Sequence, residues 1–492
     1  MTSSPASGGG HSPLDIGAEP TARPLSATHD SPHPIQPAPV KVDAVVDFRL
    51  DVGAIARLGG PLLINNLSIT GMSFADTVMA GRLGATDLAG LAIGVAWYNL
   101  FLFIGLGLFM AVSPAIAHAY GAANAGAVTR YLRQSVWLVL AVSLVLVTGL
   151  WQVRWALPAL GIAPEIIPVA VGYVHAMSFG LPGLMAFFAL RFASEGLGHT
   201  RPIMFIASGG LMLNVIGNWI FMYGKFGMPR LGAIGCGVAT AITVWMMFLA
   251  MLAYMRGHRI YRRFAFFARL EPPDFRVLRE LLWLGLPIAG SVLAEGGLFV
   301  AAALLMGAMG TTITGAHQIA LNFAAFMFMV PLAISSATTI HVGHLLGGGN
   351  AHRARRAGIV GVCMCAGVMM ISACGIVAWK DAIAALYTGD VVVQGLAATL
   401  LLAAAVFQVS DGVQVGAAGA LRGFKDTAVP MALCWFSYWL VGFSLAYTLG
   451  VRRNMGPLYV WVGLIAGLTV CAALLMGRYL WISAARLRPV QR

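Results

Sequence analysis

Three carboxylates stand inside long apolar stretches of a chain in which only 10% of the residues are charged. They are Asp76, Glu295 and Asp411. Ionisable side chains at bilayer depth are expensive to bury and usually serve a function. Carboxylate oxygens bind a dehydrated Na⁺, or they hold a proton where desolvation favours the neutral acid. The three residues are therefore candidate cation or proton sites, and the sequence leaves the choice between Na⁺ and H⁺ open. For Asp76, near the end of its stretch, an interfacial carboxylate that meets water or Arg82 is the alternative.

Amide side chains accompany these acids at helical spacing and are candidates for lining a substrate cavity. Two glutamines lie close to the helical face of Asp411. Two asparagines share one face of another apolar stretch, where hydrogen bonding between helices is an equal alternative. A further glutamine follows His317, which we interpret as a packing histidine. The candidate cavity residues are Asn214, Asn218, Gln318, Gln408 and Gln414.

The other reactive residue types form no catalytic or metal-binding set. All six cysteines fall within apolar stretches, which predicts reduced packing residues rather than disulfides or a zinc site. His341 and His344 have a spacing that suits a metal, yet no carboxylate joins them in the sequence, and we interpret them as structural. We expect no enzyme and no cofactor, and no metal beyond Na⁺ at Glu295 and Asp411.

The elements that must position these residues are membrane-spanning helices. The chain has 492 residues, is 59% hydrophobic and has a mean hydropathy of +0.82, which exceeds what one soluble core could bury. Crossing a bilayer takes about 20 apolar residues. Twelve such windows predict an all-α polytopic membrane protein; they lie near 55–78, 88–114, 132–152, 167–190, 203–223, 234–255, 282–308, 315–343, 357–379, 394–420, 428–450 and 457–481.

The net charge of +13 predicts the orientation of these helices. Arginines cluster at 256–279, at 353–356 and after 485, and twelve spans place all three clusters on one side. The positive-inside rule assigns that side to the cytoplasm, so we expect both termini there. Short basic loops without aromatic platforms argue against nucleic-acid binding. The first 50 residues are rich in Pro, Ser, Ala and His and predict a disordered cytoplasmic tail.

An internal repeat divides the chain into two halves. A shift of 226 positions aligns residues 58–125 with 284–351 without a gap. Six spans separate equivalent positions, which predicts two pseudo-symmetric six-helix bundles around a central cavity. The carboxylates break the symmetry, since Glu295 aligns with Ile69 and Asp411 falls near Leu184. The predicted organisation is a tail at 1–50, bundles at 51–256 and 281–483, a cytoplasmic linker at 257–280 and a second tail at 484–492.

Three segments strongly resemble the NorM-type branch of the multidrug and toxic compound extrusion (MATE) family. They are GMSFADTVMAG at 71–81, SEGLGHTRP at 194–202 and LRGFKDT at 421–427. The resemblance extends over 53–480. It implies a monomer in the inner membrane of a bacterium that exports organic cations or drugs by antiport with Na⁺ or H⁺ through alternating access. The family's coupling carboxylates map onto Asp76, Glu295 and Asp411.

One departure from the family and one rival function accompany this resemblance. Some relatives carry a tyrosine one turn before the third carboxylate, where this chain has Phe407, so one oxygen ligand for Na⁺ is missing. The alternative function is a flippase for lipid-linked saccharide precursors. Its anionic headgroup requires Arg or Lys in the cavity, and the spans contain no basic residue near their middle.

Overall fold

Apolar runs punctuated by Gly, Asn and Asp fold into long helices throughout the part of the chain that the structure describes. A computed structural model describes residues 48–264, 266 and 271–487, which contain no strand. The predicted all-α fold is confirmed. The N-terminal tail lies outside the described residues except for its last three positions, and so do residues 488–492.

The first half of the chain contains six crossing segments. Two of them are broken near the membrane face into a long and a short helix, at Ala111 and Gln152. The helices are α1 (Phe48–Gly81), α2 (Ala85–Met110), α3 (Val112–Gly121), α4 (Ala125–Trp151), α5 (Val153–Ala159), α6 (Ile167–Gly196), α7 (Arg201–Tyr223) and α8 (Ala233–Gly257).

The second half repeats this order of crossing segments. The eleventh crossing segment, counted along the whole chain, begins as an α-helix and continues in two π-helical segments, Phe436–Phe443 and Ala446–Arg452. The helices are α9 (Arg259–Arg262), α10 (Phe275–Met309), α11 (Thr311–Gly347), α12 (Ala351–Tyr387), α13 (Val391–Gly423), α14 (Ala428–Trp435) and α15 (Pro457–Ala485).

Eleven crossing segments in the described residues are long and apolar enough to span a membrane. The twelfth is α1, which has 34 residues but is more polar, because it carries Asn65, Asn66, Ser68 and Asp76. With α1 among them, each of the twelve predicted windows lies inside a crossing segment. We call the membrane face where α1 begins and α8 ends the linker face, and the opposite one the distal face.

Side-chain caps set several helix boundaries. The Asn124 side chain accepts a hydrogen bond from Ala127 N at 2.9 Å, and the Asp390 side chain accepts one from Val392 N at 2.9 Å. Asp274 accepts from Arg276 N at 3.0 Å and starts α10 at Phe275. The second bundle therefore begins inside the predicted linker of 257–280, which also contains the short helix α9.

Each half has its own apolar core, and the halves meet through a few helices. One large cluster of buried side chains lies within α1–α9 and the start of α10, and another lies within α10–α15. Between the halves, α1 packs on α11, α2 packs on α10 and α3 packs on α11. The predicted pair of six-helix bundles is therefore confirmed.

Glycines allow the closest approach between the halves, at the linker face. A Cβ atom on Gly121 of α3 would overlap the carbonyl oxygen of His344 on α11. A Cβ atom on Gly347 would overlap the carbonyl oxygen of His118 in the same way. Gly121 and Gly347 are repeat equivalents, since 347 − 121 = 226, so the crossing itself is pseudo-symmetric.

Replacing Gly121 or Gly347 with Ala is expected to force α3 and α11 apart. Overpacking of this kind costs about 1–3 kcal/mol, so the apparent melting temperature of the detergent-solubilised protein should fall. Gly367→Ala is the matched control, because its Cβ would meet no atom within 4 Å and Ala favours a helix over Gly by about 1 kcal/mol. Gly121→Ala and Gly347→Ala variants that melt like Gly367→Ala would contradict the tight crossing.

Candidate functional site

Two cavities, one associated with each half, are lined by two of the three acids that the sequence singled out, Asp76 and Glu295. The cavity of the first half has a volume of about 170 Å³ and lies among α1, α2, α6 and α8. Its polar lining includes Ser73, Asp76, Thr77, Asn99 and Thr240. Asp76 is 8% exposed, so it is a buried carboxylate rather than an interfacial one.

Asp76 belongs to a closed ring of side-chain hydrogen bonds. Asn218 Nδ2 donates to Asp76 Oδ1 at 2.6 Å and lies 3.3 Å from Asn214 Oδ1. Asn214 Nδ2 donates to Thr240 Oγ1 at 2.9 Å, and that hydroxyl donates to Asp76 Oδ2 at 3.5 Å. Hydrogen bonds from neutral donors stabilise the ionised carboxylate. The asparagines are fully buried behind Asp76 and do not line the cavity, so interhelical hydrogen bonding describes their contacts.

The second cavity, of about 270 Å³, lies between α10, α11, α13 and α14 and is bordered by α2 of the first half. Glu295 and Ser291 line it from α10, and Gln414 lines it from α13. Phe103, Leu106 and Met110 of α2 complete the wall. The cavity therefore touches both halves of the repeat, as expected of a site that responds to their relative movement.

Asp411 does not line this cavity, although Gln414, three residues later on α13, does. Asp411 is 4% exposed, and its Oδ1 has no hydrogen-bond partner among the described residues. The same holds for Gln408 Oε1 and Nε2 and for Gln414 Oε1. Buried polar atoms without partners are costly. Such a set of oxygens fits a dehydrated Na⁺ or a protonated carboxyl, and Asp411 interacts electrostatically with Glu295.

An aromatic cluster surrounds Phe407, which precedes Asp411 by four residues on α13. The Phe407 ring lies 5.8 Å from that of Phe299 and 5.9 Å from that of Trp461. His317 packs against Trp461 with its ring 5.7 Å away, and both of its nitrogens are buried without a hydrogen-bond partner in the described chain. Gln318 is exposed and does not line either cavity.

Arg422 is a cavity residue that the sequence reading missed. It lines the same cavity as Glu295, and its Nη2 donates to Ser335 Oγ at 2.9 Å. The sequence predicted no basic residue near the middle of a span, and Arg422 reaches the cavity from a helix end instead. Arg422 is in the last turn of α13. The sequence predicts a helix end at this position and does not indicate that the side chain enters a cavity. The available signal was its place in the segment LRGFKDT, beside small residues that allow α11 to pack closely.

The histidines at the linker face have structural partners. His341 Nε2 lies 3.1 Å from Asp51 Oδ1, and Arg356 Nε donates to Asp51 Oδ2 at 2.9 Å. A carboxylate thus does join His341, but it comes from α1, which no local spacing reveals. His344 contacts a backbone carbonyl instead. No cluster of residues suited to a metal occurs among the described side chains.

The cysteines divide into two groups. Cys236, Cys365, Cys434 and Cys471 are buried, as predicted for packing residues, and all are free thiols. Cys363 and Cys374 are exposed on α12, where a membrane protein meets lipid.

Comparison with known proteins agrees with the repeat. The family described as MatE matches this chain twice, over residues 61–220 and 287–448. The two matches begin 226 positions apart, since 287 − 61 = 226, which is the shift found within the sequence.

The chain also resembles full-length relatives and solved structures. A probable multidrug resistance protein NorM of Xanthomonas axonopodis pv. citri is 41% identical over 88% of this chain and 94% of its own length. Multidrug resistance protein PmpM of Pseudomonas aeruginosa is 39% identical over 87% of this chain and 91% of its own length.

Two solved structures share the fold. The eukaryotic MATE transporter AtDTX14 superimposes with a TM-score of 0.81 at 18% identity, covering 89% of this chain and 98% of its own. An outward-facing multidrug resistance MATE family transporter gives 0.80 at 20% identity, covering 88% and 96%. The double family match and the relatives at about 40% identity lead to one conclusion: this chain belongs to the MatE family, among its NorM-like members.

Proposed function

We propose that the chain is a multidrug efflux transporter that exports organic cations or drugs by antiport with Na⁺ or H⁺. The observation that carries this proposal is the second cavity, where Glu295 lies in a wall shared by both halves, together with the buried Asp411 Oδ1, which has no hydrogen-bond partner among the described residues. The relatives named as multidrug resistance proteins support the same function.

The linker face is the cytoplasmic face in this proposal. Arg259 and Arg262 lie in α9 and Arg276 and Arg279 lie in the first turns of α10, all at this face. Basic residues concentrate on the cytoplasmic side of membrane proteins. Both ends of the described chain then lie in the cytoplasm of a bacterium, and the spans cross its inner membrane. We expect the working unit to be a monomer, as the resemblance to the MATE family implies.

Charge balance gives a physical reason for competition between ion and substrate. Asp426 also lines the second cavity, but its carboxylate accepts a hydrogen bond from Arg478 Nε at 2.7 Å, so this pair adds no net charge. With the other two acids ionised, Glu295 and Asp411 carry −2 and Arg422 carries +1, which leaves −1 around the second cavity. One Na⁺, one H⁺ or one monovalent organic cation neutralises it. Each of these cations removes the same unfavourable buried charge, so binding of one weakens the binding of another.

Asp76 has a different role in this scheme. Its carboxylate already accepts hydrogen bonds from Asn218 and Thr240, whereas Asp411 Oδ1 has no such donor. A carboxylate that is satisfied by fixed donors binds a cation less strongly than one that is not. We assign the main coupling site to Glu295 and Asp411, and a second, weaker cation or proton site to Asp76.

Alternating access then follows from differential affinity. A cation that binds one access state better than the other shifts the population toward the first state. Coupling between drug and ion is reciprocal, because each changes the affinity for the other by the same factor.

The flippase alternative is less favoured by the same charge count. Arg422 supplies one basic group to the cavity, but Glu295 and Asp411 together carry −2 when ionised, so the sum remains −1. An anionic pyrophosphate headgroup would be repelled until at least two positive charges were added. Movement of a fluorescent lipid-linked saccharide by proteoliposomes, without movement of cationic dyes, would favour the flippase.

Antiport predicts that an ion gradient drives a cationic dye across a membrane. Proteoliposomes that contain the purified chain are loaded with a fluorescent monovalent dye and placed in a Na⁺ gradient or, separately, in a pH gradient. Acceleration of dye movement by at least one gradient is expected, and the gradient that acts identifies the coupling ion. Equal rates with and without both gradients, for a folded protein, would refute antiport.

Neutralising the acids of the second cavity is expected to uncouple transport. Glu295→Gln and Asp411→Asn remove the negative charge that attracts the ion, and gradient-driven dye efflux should fall at least tenfold, on the order of 1.4 kcal/mol or more. The matched control is Glu165→Gln, at an exposed site between α5 and α6. Wild-type efflux by both cavity variants would remove the acids from the mechanism.

Removing the charge of Arg422 is expected to strengthen cation binding. Arg422→Gln leaves −2 instead of −1 in the second cavity, and the Kd of a monovalent dye should fall at least tenfold, since charges a few ångströms apart interact by several kcal/mol at intermediate dielectric and about 1.4 kcal/mol is a factor of ten. Fluorescence polarisation of the dye at fixed ionic strength measures this change, with Arg452→Gln on the distal face as the control. An unchanged Kd would mean that Arg422 does not balance the acids.

A further inference from the structure

Two histidines at the linker face form hydrogen bonds between the halves of the repeat. His118 Nε2, at the end of α3, lies 2.6 Å from the carbonyl oxygen of Gly423. His344 Nε2, at the end of α11, lies 2.7 Å from the carbonyl oxygen of Gly196. A carbonyl oxygen only accepts, so both imidazoles donate through Nε2–H.

These two bonds are exchanged symmetrically. His344 is the repeat equivalent of His118, since 344 − 118 = 226, and Gly423 is the equivalent of Gly196 after a one-residue insertion, since 423 − 196 = 227. The histidine of each half thus bonds to the helix end of the other half. The same contact therefore occurs twice, at positions related by the pseudo-symmetry, which argues against an accidental contact.

The acceptors are helix-terminal carbonyl groups that have no donor within their own helix. The last carbonyls of an α-helix have no intrahelical partner. After α6, Gly198 N donates to Glu195 O and His199 N donates to Ser194 O. After α13, Lys425 N donates to Arg422 O and Asp426 N donates to Leu421 O. Both turns pass through a residue with positive φ, 78° at Gly198 and 59° at Lys425, and both leave the glycine oxygen to the imidazole.

The donors reach across because α3 and α11 touch at backbone distance. Gly121 and Gly347 permit this approach, and a Cβ on Gly343 would lie 2.8 Å from the Cβ of Ala117. Separation of α3 from α11 by the width of a substrate would move both imidazoles out of hydrogen-bond range of the carbonyl oxygens. The two bonds therefore exist only while the linker face is closed at this crossing.

We propose that His118 and His344 form a paired latch that holds the linker face closed, and that both bonds break when the transporter opens to that side. The proposal rests on the alternating access proposed above. The histidines act as positioning residues, since neither lines a cavity that contains the coupling acids. The latch stabilises the closed state of the linker face. A cation or drug that favours opening must bind the open state more strongly by at least this amount of free energy.

The test separates the hydrogen bond from the bulk of the side chain. His118→Leu and His344→Leu replace the imidazole with an apolar side chain of similar size that has no hydrogen-bond donor. His118→Gln and His344→Gln keep an N–H donor. Hydrogen–deuterium exchange of the full chain in lipid nanodiscs measures the opening of the linker face through backbone amides just after the ends of α3 and α11. These amides are Ala122 N and Asn124 N in one half and Gly348 N and Asn350 N in the other.

Each Leu variant is expected to raise exchange at 122–124 and 348–350 by about two- to tenfold, as the loss of one net hydrogen bond predicts. The effects should multiply in the double Leu variant, because the two bonds oppose the same opening. The Gln variants should exchange like the wild type. His352→Leu, at an exposed position at the start of α12, is the control and should change nothing.

Three results would overturn the latch: wild-type exchange at both segments in the double Leu variant, Gln variants that behave like Leu variants, or a rise of equal size in all helices. The last result would mean that the histidines support the fold generally. Dye efflux by the wild-type chain is measured in parallel. If efflux fails while the exchange pattern is as expected, the proposed transport is wrong and the closure at the linker face remains.

Discussion

The cost of leaving a charge or a polar atom unpaired in apolar surroundings governs the whole arrangement. Asp76 meets this cost with a ring of Asn218, Asn214 and Thr240, and Asp51 meets it with His341 and Arg356. Asp411 and Gln408 do not meet it within the described residues. A membrane offers no water to such atoms, and this is why the proposed function places an exchangeable cation or proton beside Asp411.

The two halves of this fold are related by the internal repeat. The symmetry is lost at a few positions, and these include the acids of the second half. The glycine crossing and the histidine bonds occur in both halves and act on the relation between them. Glu295 and Asp411 occur in the second half alone. A symmetric contact between halves suits a two-state closure, because both sides separate together. In the mechanism proposed above, Glu295 and Asp411 let the second half determine which cation favours which access state.

The sequence predicted the helices of this fold well and the contacts between them less well. Periodic apolar windows and the repeat located all twelve crossings, because helix length and burial in lipid are local properties of the chain. The pairing of Asp51 with His341, and the placement of Arg422 beside Glu295, depend on how α1, α10, α11 and α13 pack. Helix-end residues such as Arg422 are the hardest to place, because one turn decides whether they meet water or a cavity. The roles of the three acids remain predictions.

The energies of the closure and of the cavity must be of similar size for coupling to work. Two hydrogen bonds of about 0.5–1.5 kcal/mol each stabilise the closed linker face by about 1–3 kcal/mol. A monovalent cation that neutralises the excess charge beside Glu295 and Asp411 gains a comparable amount at intermediate dielectric. A much stronger closure would hold one state whatever was bound, and a much weaker one would let both faces leak. The modest hydrogen bonds of His118 and His344 therefore suit a closure that one exchangeable charge can control.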